Sequence, residues 1–158
     1  MAKLTIVAIV LLFSTIAFSQ SPTELDRENG FNGVKFESTS SSNPNLQLIY
    51  SSRNGNIKKY IDPTESLMFY DFKLYKVVYT YYKSHLFSIR VTASNSNKQT
   101  LLTYFQAKYG KGYQENRFVD TVEWKGNQIK MWYDTYVSSD ISFEIYTNVY
   151  NSEMANDK

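Results

Sequence analysis

A period of two governs most of this chain. In KLYKVVYTYYKSHLFSIRV, Val77, Tyr79 and Tyr81 alternate along one segment, and Phe87, Ile89 and Val91 alternate along the next. Such spacing belongs to strands with one buried face. How the two segments join is a question of register. A two-residue turn at Lys83-Ser84 would leave the two apolar sets on opposite faces, whereas a three-residue loop, Lys83-Ser84-His85, puts them on the same face. The second arrangement predicts His85, the only histidine, as an exposed residue ending a hairpin loop at positive φ, where histidine is among the enriched non-glycine types.

Other segments repeat the pattern. LQLIYSSRNGNIKKYI is predicted to turn at Asn54-Gly55, the strongest short hairpin signal. Ser52 would then face Ile57, Tyr50 face Lys59 and Leu48 face Ile61, with Leu46, Leu48, Tyr50, Ile57 and Ile61 on one side. RFVDTVEWKGNQIKMWYDT is predicted to turn at Gly126-Asn127, setting Trp124 opposite Ile129, Val122 opposite Met131 and Asp120 opposite Tyr133. In ISFEIYTNVY, Ile141, Phe143 and Ile145 point inward while Glu144 and Tyr146 point outward. That parity places Lys130 between Glu123 and Glu144 on a solvated face. FNGVKF (31–36) reads as a short strand, and residues 67–70 as a short edge segment.

One helix stands out. In ASNSNKQTLLTYFQAKYGKG, Leu101, Leu102, Phe105 and Tyr109 recur at helical spacing, Ser96 and Gln99 match a capping box, and Gly110 supplies the stop. The expected fold class is therefore α+β: an antiparallel β-sheet of about five to seven strands with one α-helix packed on one face. The alternative is a β-sandwich or barrel with one terminal helix. With 14 tyrosines and 10 phenylalanines, the composition suits half-buried strands whose rings pack while their hydroxyls reach water.

The first 19 residues read as a signal peptide: Lys3 flanks an apolar run from Leu4 to Ala17, and Ala17-Phe18-Ser19 suits cleavage after Ser19. The run is shorter than the ~20 residues of a spanning helix. Residues 20–30 are expected to be a linker or a short helical turn with Pro22 at its first position, 31–150 a single domain, and 151–158 a flexible tail. This predicts a periplasmic or secreted protein. Cysteine is absent, which excludes disulfides, thiolate metal sites and a cysteine nucleophile. Acidic and basic residues nearly balance, so nothing favours nucleic acid as a partner, or a membrane once the leader is gone.

FNGVKF, YTYYKSHLFSIRV, and YGKGYQENRF followed by EWKGNQI resemble, over roughly residues 31 to 150, a family of small exported bacterial proteins with no assigned activity. The resemblance implies export and the strand–helix–strand layout, and brings no site residues. Its members usually continue the opening strand with glycine, where this chain has Glu37.

Catalytic signatures are missing: there is no P-loop, dinucleotide glycine pattern, serine elbow or metal-ligand cluster, and no cofactor is expected. The catalytic candidates are Asp120, placed by register on an apolar face between Phe118 and Val122, and His85; either would make the chain a small hydrolase. The preferred expectation is a non-catalytic binding module for an envelope glycan, peptide or protein, with a structural envelope protein as a further alternative. Ligand-binding candidates are Trp132, Tyr146, Tyr82 and Lys130, which parity sends to the outer sheet face.

Overall fold

A computed structural model describes residues 22–116, 118, 121–134 and 140–156; the leader 1–19 and Asp120 lie outside the described residues. The described part opens with α1 (Pro22–Glu28), the helical option for residues 20–30. FNGVKF, expected as one short strand, folds instead as a miniature hairpin, β1 (Gly30–Phe31) and β2 (Val34–Lys35), because Asn32-Gly33 reverses the chain with φ values of 47° and 82° that suit a type I′ turn.

A meander follows: β3 (Gln47–Ser51), β4 (Ile57–Ile61), β5 (Met68–Phe69), β6 (Phe72–Tyr82) and β7 (His85–Ser94). Then come α2 (Lys98–Tyr109), β8 (Thr121–Lys125), β9 (Ile129–Asp134), β10 (Asp140–Thr147) and α3 (Asn151–Asn156). The main sheet is antiparallel and eight-stranded, ordered β3-β4-β6-β7-β10-β9-β8, with β5 pairing alongside β6. It is open, with β3 and β8 at its ends. The α+β expectation holds, but two helices cover the core face where one was expected: α1 packs beside α2 and over the ends of β8 and β9. Phe105 of α2 sits at the centre of that core, its ring 5.0 Å from Phe143, 5.8 Å from Tyr133 and 6.0 Å from Trp124.

Three expected hairpin registers shift. At the β6–β7 turn, Tyr82 pairs with His85 across Lys83-Ser84, and those two residues carry the positive φ values, 47° and 72°. The extra residue sits inside the strand instead of in the loop. Phe87 is bulged out between Leu86 and Ser88, after which Tyr79 meets Ile89 and Val77 meets Val91 on the core face. A bulge and a longer loop have the same effect on parity, so the matching of faces survives while Leu86 takes the core place expected for Phe87.

In the β3–β4 hairpin, Tyr50 does face Lys59, but the ladder slips at Ile49 so that Leu48 meets Tyr60. All of β3 is exposed. It is the sheet's edge, and the core on this side is closed by Tyr60 against Tyr81, with ring centroids 5.3 Å apart.

The third shift involves a residue far away in sequence. In the β8–β9 hairpin, Trp124 pairs with Met131, Val122 with Tyr133 and Glu123 with Trp132, so the reversal lies at Asn127-Gln128 and not at Gly126-Asn127. The cause is Asp26 of α1. Its carboxylate accepts the backbone N–H groups of Asn127 (2.7 Å), Gln128 (3.0 Å) and Ile129 (2.9 Å). Partial burial would raise its pKa, but those N–H groups outweigh this and hold it below the usual value. Gly126 is needed for the approach, since a Cβ there would lie 2.3 Å from Asp26 Oδ1.

Two smaller corrections concern helix ends. The Ser96–Gln99 capping box does not form; Ser94 Oγ accepts the Ser96 N–H instead, opening a 3-10 turn ahead of α2. Residues 151–156, expected in a flexible tail, wind into α3.

Candidate functional site

The face of the sheet away from α1 and α2 carries the candidate site. Parity along β9 sends Ile129, Met131 and Tyr133 into the core and leaves Lys130 and Trp132 outside. The two tryptophans divide as that parity requires. Trp124 is 2% exposed and donates its indole N–H to Gly110 O at 2.8 Å; Trp132 is 45% exposed.

Pairing across the strands then sets its neighbours. One row runs Glu123, Trp132, Glu144, Arg90, from β8 to β7. Below it lies Thr121, Asp134, Ser142, and above it Lys125, Lys130, Tyr146. Lys130 therefore does not stand between Glu123 and Glu144 as expected. Two slips of two residues give that place to Trp132, one at the β8–β9 turn that Asp26 holds and one in the β9–β10 pairing, and Lys130 lies over the Tyr146 ring at 6.0 Å.

The indole is held firmly. Its ring meets Tyr146 edge-on at 5.1 Å, and its N–H is directed to Glu123. Burial pushes the Glu123 carboxyl up, but Lys125 at 2.8 Å, the Trp132 N–H and Lys130 outweigh it and hold the carboxyl below the usual range. Arg90 grips Glu144 through Nε (3.0 Å) and Nη2 (2.5 Å). Burial, reinforced by Glu123 and Glu144, pushes the Tyr146 phenol up to about 12, so it stays a neutral hydrogen-bonding group. Beside the indole is a hollow of about 450 Å³ lined by Arg90, Thr121, Trp132, Asp134, Ser142 and Glu144. Around the indole, among the described residues, Glu123, Asp134 and Glu144 stand beside Arg90, Lys125 and Lys130, so the neighbouring charges balance while offering hydrogen bonds.

The other sequence candidates do not join it. Tyr82 does lie on the outer side, but it is fully buried, with Tyr150 against its ring at 5.8 Å and α3 over the hollow beside it. Lys83 ties α3 down through Glu153 at 3.3 Å. His85 is exposed, as expected, but opens β7 instead of closing a loop. Its Nδ1 is 3.1 Å from Glu37 O and its ring stacks near Tyr150, contacts that tie the chain together. Asp120 is outside the described residues; Phe118, expected to share its apolar face, is 80% exposed. Among the described residues no three His, Asp or Glu side chains are placed to hold a metal ion.

Arg90, Asp134, Ser142 and Thr121 were missed as site residues. Arg90 was legible from SIRV, where it alternates with Ile89 and Val91; the others need the sheet order. No family model, curated protein or solved structure matches this chain, so the site rests on its own geometry.

Proposed function

We propose that this chain is an exported, non-catalytic binding module that holds a neutral saccharide of the bacterial envelope across its open sheet face. One observation carries the reading: an exposed, rigidly held indole flanked by paired carboxylates, an arginine and hydroxyls. A flat aromatic face stacks on the apolar side of a sugar ring, and fixed carboxylate and guanidinium groups bind its hydroxyls. Balanced charge favours an uncharged ligand over an ionic one. Export is supported by the signal-like leader and by the family resemblance.

Trp132 should report the event. Titration with soluble cell-wall glycan fragments is expected to change tryptophan fluorescence saturably, and Trp132→Ala to weaken binding by ~2 kcal/mol or more, the scale of an aromatic anchor, while melting within a few degrees of the parent. Unaltered fluorescence with every fragment, or undiminished binding by the variant, would sink the proposal.

A further inference from the structure

The aromatic surface does not end at the indole. Tyr146 continues it, and beyond Tyr146 stands Phe87, the two ring centroids 6.4 Å apart. Phe87 reaches this place through the bulge in β7. Leu86 and Ile89 both lie in the core, and the extra residue between them lets Phe87 join Ser88 on the outer side. Bulges re-aim side chains in this way. Trp132 on β9, Tyr146 on β10 and Phe87 on β7 thus form a line across three adjoining strands.

A hollow lies at each end of that line. At the Trp132 end is the one lined by Arg90, Asp134 and Glu144. At the Phe87 end is another, of about 270 Å³, between the sheet and α3. Its walls include Ile57, Phe87 and Met154, all half-buried, and the exposed Ala155, so it opens to solvent. The lining is mainly hydrocarbon, with the amides of the exposed Asn54 and Asn151 beside it. Such a place suits a methyl group carried on an amide: the methyl meets hydrocarbon, and the amide meets amides. Successive rings along the line are inclined by 67° and 47°, so their faces turn as the units of a single twisted chain do.

Building on the saccharide reading above, we infer that the ligand is a linear chain of neutral N-acetylated sugars. The chain runs from the Trp132 hollow across Tyr146 to Phe87 and seats an acetamido group in the hollow beside α3. A chain of plain hexoses would set hydroxyls against that hydrocarbon lining.

The test is calorimetric titration with chitobiose, chitotetraose and cellotetraose. Chitotetraose should bind about tenfold more tightly than chitobiose, through the added stacking on Phe87, and more tightly than cellotetraose. Phe87→Leu keeps apolar volume but removes the ring; it should melt within a few degrees of the parent, abolish the advantage of length and leave chitobiose binding unchanged. Trp132→Ala should weaken both chitin fragments. Chitobiose binding with no gain from length, a gain that survives Phe87→Leu, or equal binding of cellotetraose would overturn the inference and leave the saccharide reading standing. Failure of these chains where cell-wall fragments bind would do the same; failure of both would sink the saccharide reading too.

Discussion

Removing the Asp26 carboxylate should have consequences at the far end of the chain. In Asp26→Ala, three N–H groups lose their acceptor. Those of Asn127 and Gln128 belong to exposed residues and can turn to water at a cost of ~0.5 kcal/mol each, whereas Ile129 is 1% exposed and its orphaned donor costs about 1–3 kcal/mol. Together this gives ~2–4 kcal/mol, a fall in melting temperature on the order of 10 °C. The effect carries a pH signature. Asp26 titrates below its ordinary value in the folded chain, so its stabilisation is fully present above the unfolded-state pKa of 3.8 and lost as pH falls through the folded value. Urea unfolding of parent and variant at neutral pH and at about pH 3 should show the difference shrinking in acid. Freed of Asp26, the β8–β9 turn should also become able to slip toward Gly126-Asn127, weakening the Glu123–Trp132 cross-strand contact in NMR spectra. A loss under ~0.5 kcal/mol, or one independent of pH, would refute the reasoning.

Two further perturbations test other parts of the structure. Trp124→Ala should cost ~3–5 kcal/mol in denaturant unfolding, because it empties a core site and leaves Gly110 O without its donor; Trp132→Ala should cost well under ~1 kcal/mol, and the reverse ranking would mean the faces are exchanged. Glu65 accepts the Tyr79 hydroxyl at 2.7 Å, and burial, aided by Asp62, outweighs the hydrogen bonds from Tyr79 and Asn32 and raises its pKa above the usual value. Because the folded value is the higher one, the native state loses stability as pH rises from 4.5 through it. Glu65→Gln should therefore gain on the parent in stability as pH rises from 4 to 8, and a constant difference in melting temperature across that range would contradict the assignment.

Which way a side chain points was readable from the chain alone. Trp124 in, Trp132 out, and Ile141, Phe143 and Ile145 in follow from a two-residue period, because alternation is local and tolerates any even slip in pairing. The helix at Lys98–Tyr109 was legible for a like reason, its own local period; the Asn32-Gly33 turn carries a signal of the same kind as Asn54-Gly55 but was missed, because the segment around it read as one strand. What lies opposite a residue was not local. Glu123 faces Trp132 because a carboxylate 101 residues away holds the turn at Asn127-Gln128. The bulges at Ile49 and Phe87 follow no period that a strand pattern could reveal, and Tyr82 is removed from the surface by a C-terminal helix whose sequence, NSEMAN, is polar. Arg90, Glu144 and Trp132 come from three strands, β7, β10 and β9, that are not all adjacent in sequence. Local stereochemistry decides the face of each side chain, but only long-range hydrogen bonds and coverage decide which faces meet and which remain open to a ligand.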